Sequence, residues 1–192
     1  GGEPATLNPD ATSDDYNYVI MQNIFSRLYK LNNLYQPIPD LATSYDLSAD
    51  GMTWTFHLHE NAKWTDGEPL TSKDVKYTFD TIAEQKYAFA SVFASVASIE
   101  TPDDHTVVFK MSAPDASFLG NVAWYGTFIL PKHILEGQDW LSADFNDAPT
   151  VSSGPFKFDQ WNKGTDIQLV RNDDYFGDQA HLERIIFTFI PD

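Results

Sequence analysis

Hydrophobic positions along this chain switch between two periods, and the switches mark its elements. From Asp14 onward Val19, Ile20, Ile24 and Leu28 fall near one face of a 3.6-residue period. This predicts a helix with Asp14 or Asp15 as its N-cap. Asn32-Asn33 and Pro37-Ile38-Pro39 break it. Trp54, Phe56 and Leu58 then alternate with Thr55, His57 and His59, the period of a half-buried strand after a turn at Ala49-Asp50-Gly51. Asp66-Gly67 signals a second turn. Thr71-Ser72-Lys73-Asp74 reads as a capping box, and Val75, Phe79, Ile82 and Ala83 form the apolar stripe of the helix it opens.

Alternation returns over residues 105–111, with Val107, Phe109 and Met111 on one side. Pro114-Asp115 starts a short helical stretch through Leu119, and residues 131–137 carry Pro at the start and Gly at the end of another. Residues 142–153 are polar and loop-like. Residues 156–161 and 166–171 flank Asn162-Lys163-Gly164 as a hairpin. Residues 184–190 are apolar on both faces and predict a strand in the middle of a sheet. Residues 3–15, rich in Pro, Asn, Asp, Ser and Thr, read as a strand end followed by a loop. Hairpins mixed with separate helices give an α+β (mixed α/β) fold. A central strand as the last element, with nothing to pack beyond it, suggests a truncated domain.

Composition narrows the function classes. The 192 residues fit one compact domain or two small ones, and 42% hydrophobic residues argue against disorder. The formal net charge of −16 repels phosphate backbones and anionic headgroups, so no nucleic-acid partner is expected. Without cysteine there is no disulfide framework, thiolate zinc site or thiol nucleophile. No apolar run reaches the length of a membrane span. The start at Gly1-Gly2-Glu3-Pro4 implies that any targeting segment lies upstream.

Catalytic constellations do not emerge. His57 and His59 share a strand face and could co-ligate a metal, but no third ligand stands at a recognisable spacing, so they read as solvent-side positions. Ser152-Ser153-Gly154 lacks the preceding glycine of a nucleophile elbow. Among 28 acidic residues no carboxylate pair is singled out, and no glycine-rich phosphate loop occurs. From the residues alone, a binding module and an unspecialised structural domain stand about level.

A resemblance separates them. Leu41-Ala42-Thr43-Ser44-Tyr45, Asp50-Gly51-Met52-Thr53-Trp54-Thr55-Phe56, and Trp64-Thr65-Asp66-Gly67-Glu68-Pro69-Leu70-Thr71 followed by Asp74-Val75 resemble the signature of family 5 extracellular solute-binding proteins. These are the oligopeptide- and dipeptide-binding components of ABC importers. Glu3-Pro4-Ala5-Thr6-Leu7-Asn8-Pro9 is similar to the start of the family's mature fold. Ser153-Gly154-Pro155-Phe156, Trp161, Gly164, Arg171-Asn172-Asp173-Asp174-Tyr175-Phe176 and Ile190-Pro191-Asp192 resemble a later passage. His59 and Ser153 depart from it, where the family usually has a basic residue and Thr or Asn.

The resemblance implies a periplasmic-binding-protein type II-like lobe with an inserted subdomain, its second lobe missing. Residues 1–40 and 151–192 would form the first-lobe core and residues 41–150 the subdomain. It implies a monomeric, non-enzymatic protein outside the cytoplasm, lipid-anchored through an upstream segment, needing no cofactor. Its partners would be a peptide ligand and the membrane permease subunits of an importer. Other cargos (a nickel chelate or an oligosaccharide) remain open, and a carboxylate-pair hydrolase is a remote alternative. By position in the resemblance, Ser13, Asp14 and Asp15 would line the cleft, Phe89 would reach the ligand from the subdomain, and Ser153 and Gly154 would sit near the crossing back to the first lobe.

Overall fold

A computed structural model describes residues 2–12, 14–124 and 127–190. Ser13 and the Pro191-Asp192 end of the family passage lie outside them. The order is α1 (Asp15–Met21), β1 (Tyr29–Leu31), β2 (Pro37–Pro39), β3 (Ala42–Leu47), β4 (Thr53–Leu58), α2 (Ser72–Gln85), β5 (Val96–Asp103), β6 (Thr106–Met111), α3 (Phe118–Ala123), α4 (Lys132–Leu135), β7 (Phe156–Asn162), β8 (Asp166–Arg171) and β9 (Arg184–Thr188). Short 3-10 turns occupy Ala90–Phe93 and Asp144–Asn146.

The strands form three antiparallel sheets. One is the β1-β2 ribbon, one runs β3-β4-β6-β5, and one runs β7-β8-β9. In β4 the expected alternation holds: Trp54, Phe56 and Leu58 are buried while the residues between them are half-exposed. Its partner β6 buries Val107, Phe109 and Met111, with Phe56 paired to Val107. Residues paired across strands face the same side, so the two strands build one apolar surface. The helix α2 covers it from across β5 and β6. Phe109 lies at the centre, with ring centroids 5.6 Å from Phe56, 5.8 Å from Phe79 and 5.1 Å from Phe118.

The capping box of α2 is formed as expected. The Thr71 hydroxyl accepts the Lys73 N–H, and Asp74 Oδ2 accepts the Thr71 N–H at 2.9 Å. Asp74 Oδ1 also accepts the Lys132 N–H at 3.1 Å, which ties α4 to the start of α2. Val75, Phe79 and Ile82 are fully buried, whereas Ala83 faces solvent.

Four local expectations are corrected. The first helix stops at Met21, although Ile24 and Leu28 are fully buried as its pattern required. The carbonyls of Asn23 and Ile24 serve the returning chain instead. Ser153 N–H and Gly154 N–H both donate to Ile24 O (3.0 and 2.8 Å), and Phe156 N–H donates to Asn23 O (2.9 Å). Residues 3–12 contain no strand. The helix after Pro114 begins only at Phe118, because the Asp115 carboxylate holds the Ser117 N–H and hydroxyl in a turn ahead of it. Finally, β9 is an edge strand, not a central one. Among the described residues it pairs with β8 alone, and Arg184, Ile186 and Thr188 are exposed. An apolar groove of about 320 Å³ runs between this strand and α1, lined by Tyr16, Val19, Ile20, Ile186, Phe187 and Phe189.

The hairpin of β7 and β8 closes as the sequence indicated. Asn162 pairs with Asp166, and Gly164 takes φ +77°, a conformation that favours glycine.

Candidate functional site

The segment before α1 is polar in sequence, yet Leu7, Asn8 and Asp10 are fully buried. Side chains substitute for regular structure there. Thr6 Oγ1 accepts the Asn8 N–H (3.1 Å), Asn8 Oδ1 accepts the Asp10 N–H (3.1 Å), and Thr12 Oγ1 accepts the Asp14 N–H (3.2 Å). The helix holds the segment from the other side. Asn17 Nδ2 donates to Thr6 O at 2.5 Å, and the Tyr18 hydroxyl donates to Thr12 O at 2.6 Å.

Three expected site residues meet here. Asp14 is the N-cap of α1, its Oδ1 accepting the Tyr16 N–H at 2.9 Å. Asp15 sits exposed in the first turn. Half-buried Phe89 packs edge-on against Tyr18, with centroids 5.6 Å apart and planes at 61°. The loop before α1 and the segment that follows α2 are thereby joined through one aromatic pair. Tyr18 was not singled out in the sequence, because a buried helical tyrosine carries no local signature of such a contact.

Asp10 was also missed. It is fully buried, and neither of its carboxylate oxygens has a hydrogen-bond partner among the described residues. Burial pushes its carboxyl well above the usual carboxylate range, and the nearby Phe128 backbone amide opposes this only in part. The Tyr18 phenol is pushed up as well, first by burial and then by the charges of Asp10, Asp15 and Asp14.

Ser153 and Gly154 do not join this group. Both are buried where the chain crosses behind α1. Ser153 Oγ accepts the Ser26 N–H (3.0 Å), and its carbonyl accepts the Ser26 hydroxyl (3.2 Å). A Cβ on Gly154 would lie 2.6 Å from the Ile24 carbonyl carbon, so only glycine permits this approach. Nearby, Asp40 links the two sheet regions. Its carboxylate accepts the Arg27 N–H (2.8 Å), Lys30 Nζ (3.2 Å) and the Tyr175 hydroxyl (3.4 Å).

The histidines have other occupations. His57 Nε2 lies 2.9 Å from Asp46 Oδ2, and the His59 ring packs 5.1 Å from Phe176. Among the described residues, no group of three or more His, Cys, Asp or Glu is arranged to hold a metal ion. Among them too, no helix is long and apolar enough to cross a membrane.

Residues 36–192 match the sequence model described as "bacterial extracellular solute-binding proteins, family 5 Middle". The chain belongs to this family. Family 5 members are solute-binding proteins, named for their place outside the cytoplasm. A putative ABC transporter peptide-binding protein of Brucella ovis is 36% identical over 200 residues, covering 100% of this chain and 37% of that protein. The oligopeptide-binding protein AppA of Bacillus subtilis is 33% identical over 196 residues, covering 100% and 36%. The chain thus spans little more than a third of these family 5 relatives.

Solved structures agree on the fold. AppA in complex with a nonapeptide matches with a TM-score of 0.89 at 31% identity, over 100% of this chain and 39% of that one. NikZ of Campylobacter jejuni, in complex with Ni(L-His), also matches with a TM-score of 0.89, at 30% identity over 98% and 38%. The mixed α/β architecture expected from the sequence is therefore that of a partial periplasmic-binding-protein lobe.

Proposed function

We propose that this chain forms one side of the cleft of a two-lobed protein that captures peptides outside the cytoplasm and passes them to an ABC importer. Residues 1–40 and 151–192 would make the core of the lobe and residues 41–150 its inserted subdomain. The observation that carries the reading is the match, along the whole chain, to proteins named as peptide-binding, one of them solved with a nonapeptide. An extended peptide between lobes gains affinity from main-chain hydrogen bonds, which do not depend on its side chains. Closure would follow because the ligand touches both lobes and so stabilises the closed form.

In this reading Ser13, Asp14, Asp15 and Phe89 contact the ligand. Ser153 and Gly154, buried against residues 23–26, sit at the crossing back to the first lobe. The protein works as a monomer without a cofactor, turns over no substrate, is anchored through an upstream lipidated segment, and meets the permease subunits of the importer.

The test is a thermal-shift and calorimetric screen of the complete protein against mixed short peptides. A ligand of the folded state raises the melting temperature. A peptide-dependent rise supports the reading, and a flat response with every peptide pool refutes it. The second reading is a nickel chelate, motivated by the equal TM-score of NikZ. A response to nickel with histidine, and none to peptides, would select it.

A further inference from the structure

Leu34 and Tyr35 are the two most exposed large hydrophobic side chains among the described residues, at 75% and 71%. They are neighbours at the tip of the β1-β2 ribbon. Scattered surface leucines need no explanation, but an adjacent pair at the end of a hairpin does. No residue from 31 to 39 carries a charge, on a chain whose net charge is −16.

Hydrogen bonds fix the tip. Asn32 Oδ1 accepts the Leu34 N–H (2.9 Å) and the Gln36 N–H (3.0 Å). The Asn32 carbonyl accepts the Tyr35 N–H (2.9 Å), and the Asn32 N–H donates to Gln36 O (3.0 Å). These bonds hold Tyr35 at φ +57°, where a bulky side chain is an outlier and glycine or asparagine is at home. The base of the ribbon is fixed as well. Tyr29 is buried, its ring 5.7 Å from that of Tyr45 and 6.0 Å from that of Phe56, and Asp40 holds Lys30 Nζ at 3.2 Å. A stiff mount thus presents two large side chains in one geometry.

That geometry decides between partners. A second copy of the chain demands too much area: the pair offers on the order of 300 Å², against roughly 800 Å² a side in a stable complex. Strand addition is disfavoured, because Pro37 and Pro39 in β2 have no N–H to give a new strand. A lipid surface rewards buried apolar area in any orientation, so a fixed one gains nothing there, and anionic headgroups repel the acidic chain. A shaped apolar pocket on a briefly engaged protein fits all three observations. Small interfaces belong to transient encounters, and a carrier must leave its importer after each delivery.

We propose that the Leu34-Tyr35 tip is a docking knob that seats in an apolar pocket on the extracytoplasmic face of the importer's permease subunits. The inference rests on the peptide-delivery reading above. It assigns the permease contact to a ribbon that carries none of the candidate cargo residues.

The test adds purified complete protein back to right-side-out membrane vesicles from cells lacking it. The cargo is the peptide giving the largest thermal shift in the screen above, isotope-labelled, and the readout is the protein concentration that supports half-maximal uptake. The double variant Leu34→Ser and Tyr35→Asn removes the hydrophobic pair and keeps the turn, since asparagine takes positive φ readily. It should bind the peptide with unchanged affinity by calorimetry and reach the same maximal uptake, but need about tenfold more protein for half of it. Leu34→Met with Tyr35→Phe keeps the pair hydrophobic and should behave as the wild type. An unchanged half-maximal concentration in the first double variant overturns the proposal. A loss of peptide affinity in that variant overturns it too, by assigning the tip to cargo. Flotation of the wild type, but not of the variant, with importer-free phosphatidylcholine vesicles overturns it in favour of a lipid contact. If the wild type neither binds any peptide nor supports uptake, the peptide reading itself fails and this docking surface with it.

Discussion

Gly154→Ala probes the crossing that ended the first helix early. The added Cβ would lie 2.6 Å from Ile24 C, 2.7 Å from Asn23 O and 2.9 Å from Ile24 Cα. Carbon atoms pack best at about 3.5–4.0 Å, so the backbones must separate by close to 1 Å. All three contacts are backbone, so no rotamer change can relieve them. Separation would lengthen the Gly154 N–H to Ile24 O bond, now 2.8 Å, and the Asn172 Nδ2 bond to Gly154 O, now 2.9 Å. Overpacking costs about 1–3 kcal/mol, and each weakened buried hydrogen bond about 1 kcal/mol more. Together the expected loss is roughly 2–5 kcal/mol, read as a shift of the urea midpoint at unchanged slope. Gly120→Ala is the control. It sits in α3 with nothing within 4 Å of its notional Cβ, and should stabilise by about 0.5–1 kcal/mol. A Gly154→Ala loss below about 1 kcal/mol would refute the close-approach reasoning, because overpacking alone predicts more.

Other perturbations test other parts of the structure. Phe109→Ala empties the meeting point of three aromatic rings and should cost about 3–5 kcal/mol by chemical denaturation. Asp74→Ala removes the capping-box acceptor and the bond to Lys132 N–H, with an expected loss of about 2 kcal/mol in the same assay. Asp10→Asn tests the buried carboxylate through pH. The folded-state carboxyl lies above its ordinary 3.8, so the folded protein keeps a proton that the unfolded chain releases as pH rises past that value. The stability tied to this proton is complete below 3.8 and declines as pH rises toward the folded pKa. The variant does not titrate, so its stability relative to wild type should improve as pH rises above 3.8. A pH-independent difference in urea midpoints would contradict the burial argument.

Much of the fold was legible because two signals agreed locally. In β4 and β6 the period-2 pattern and the β-branched and aromatic composition gave the same answer, and Thr71 to Asp74 combined a cap with its reciprocal acceptor. Expectations failed where long-range hydrogen bonding overrode local pattern. Ile24 and Leu28 kept the burial that the helical period required, but residues 153–156 claimed the carbonyls at 23 and 24. The strand at 184–188 failed for a related reason. Its apolar residues predicted burial on both faces, while among the described residues only one neighbouring strand and one covered face exist.

The site was half legible, and the illegible half follows a single rule. Asp14, Asp15 and Phe89 came from the family resemblance, and the structure brings them together around a residue that carried no signal, Tyr18. Asp10 stayed hidden because a Pro-, Asn- and Asp-rich opening reads as solvated loop, whereas its side-chain bonds fold it inward. A buried carboxylate without a cationic partner lowers stability. Asp10→Asn should therefore raise the denaturation midpoint near neutral pH. A packing role for Asp10 would lower the midpoint.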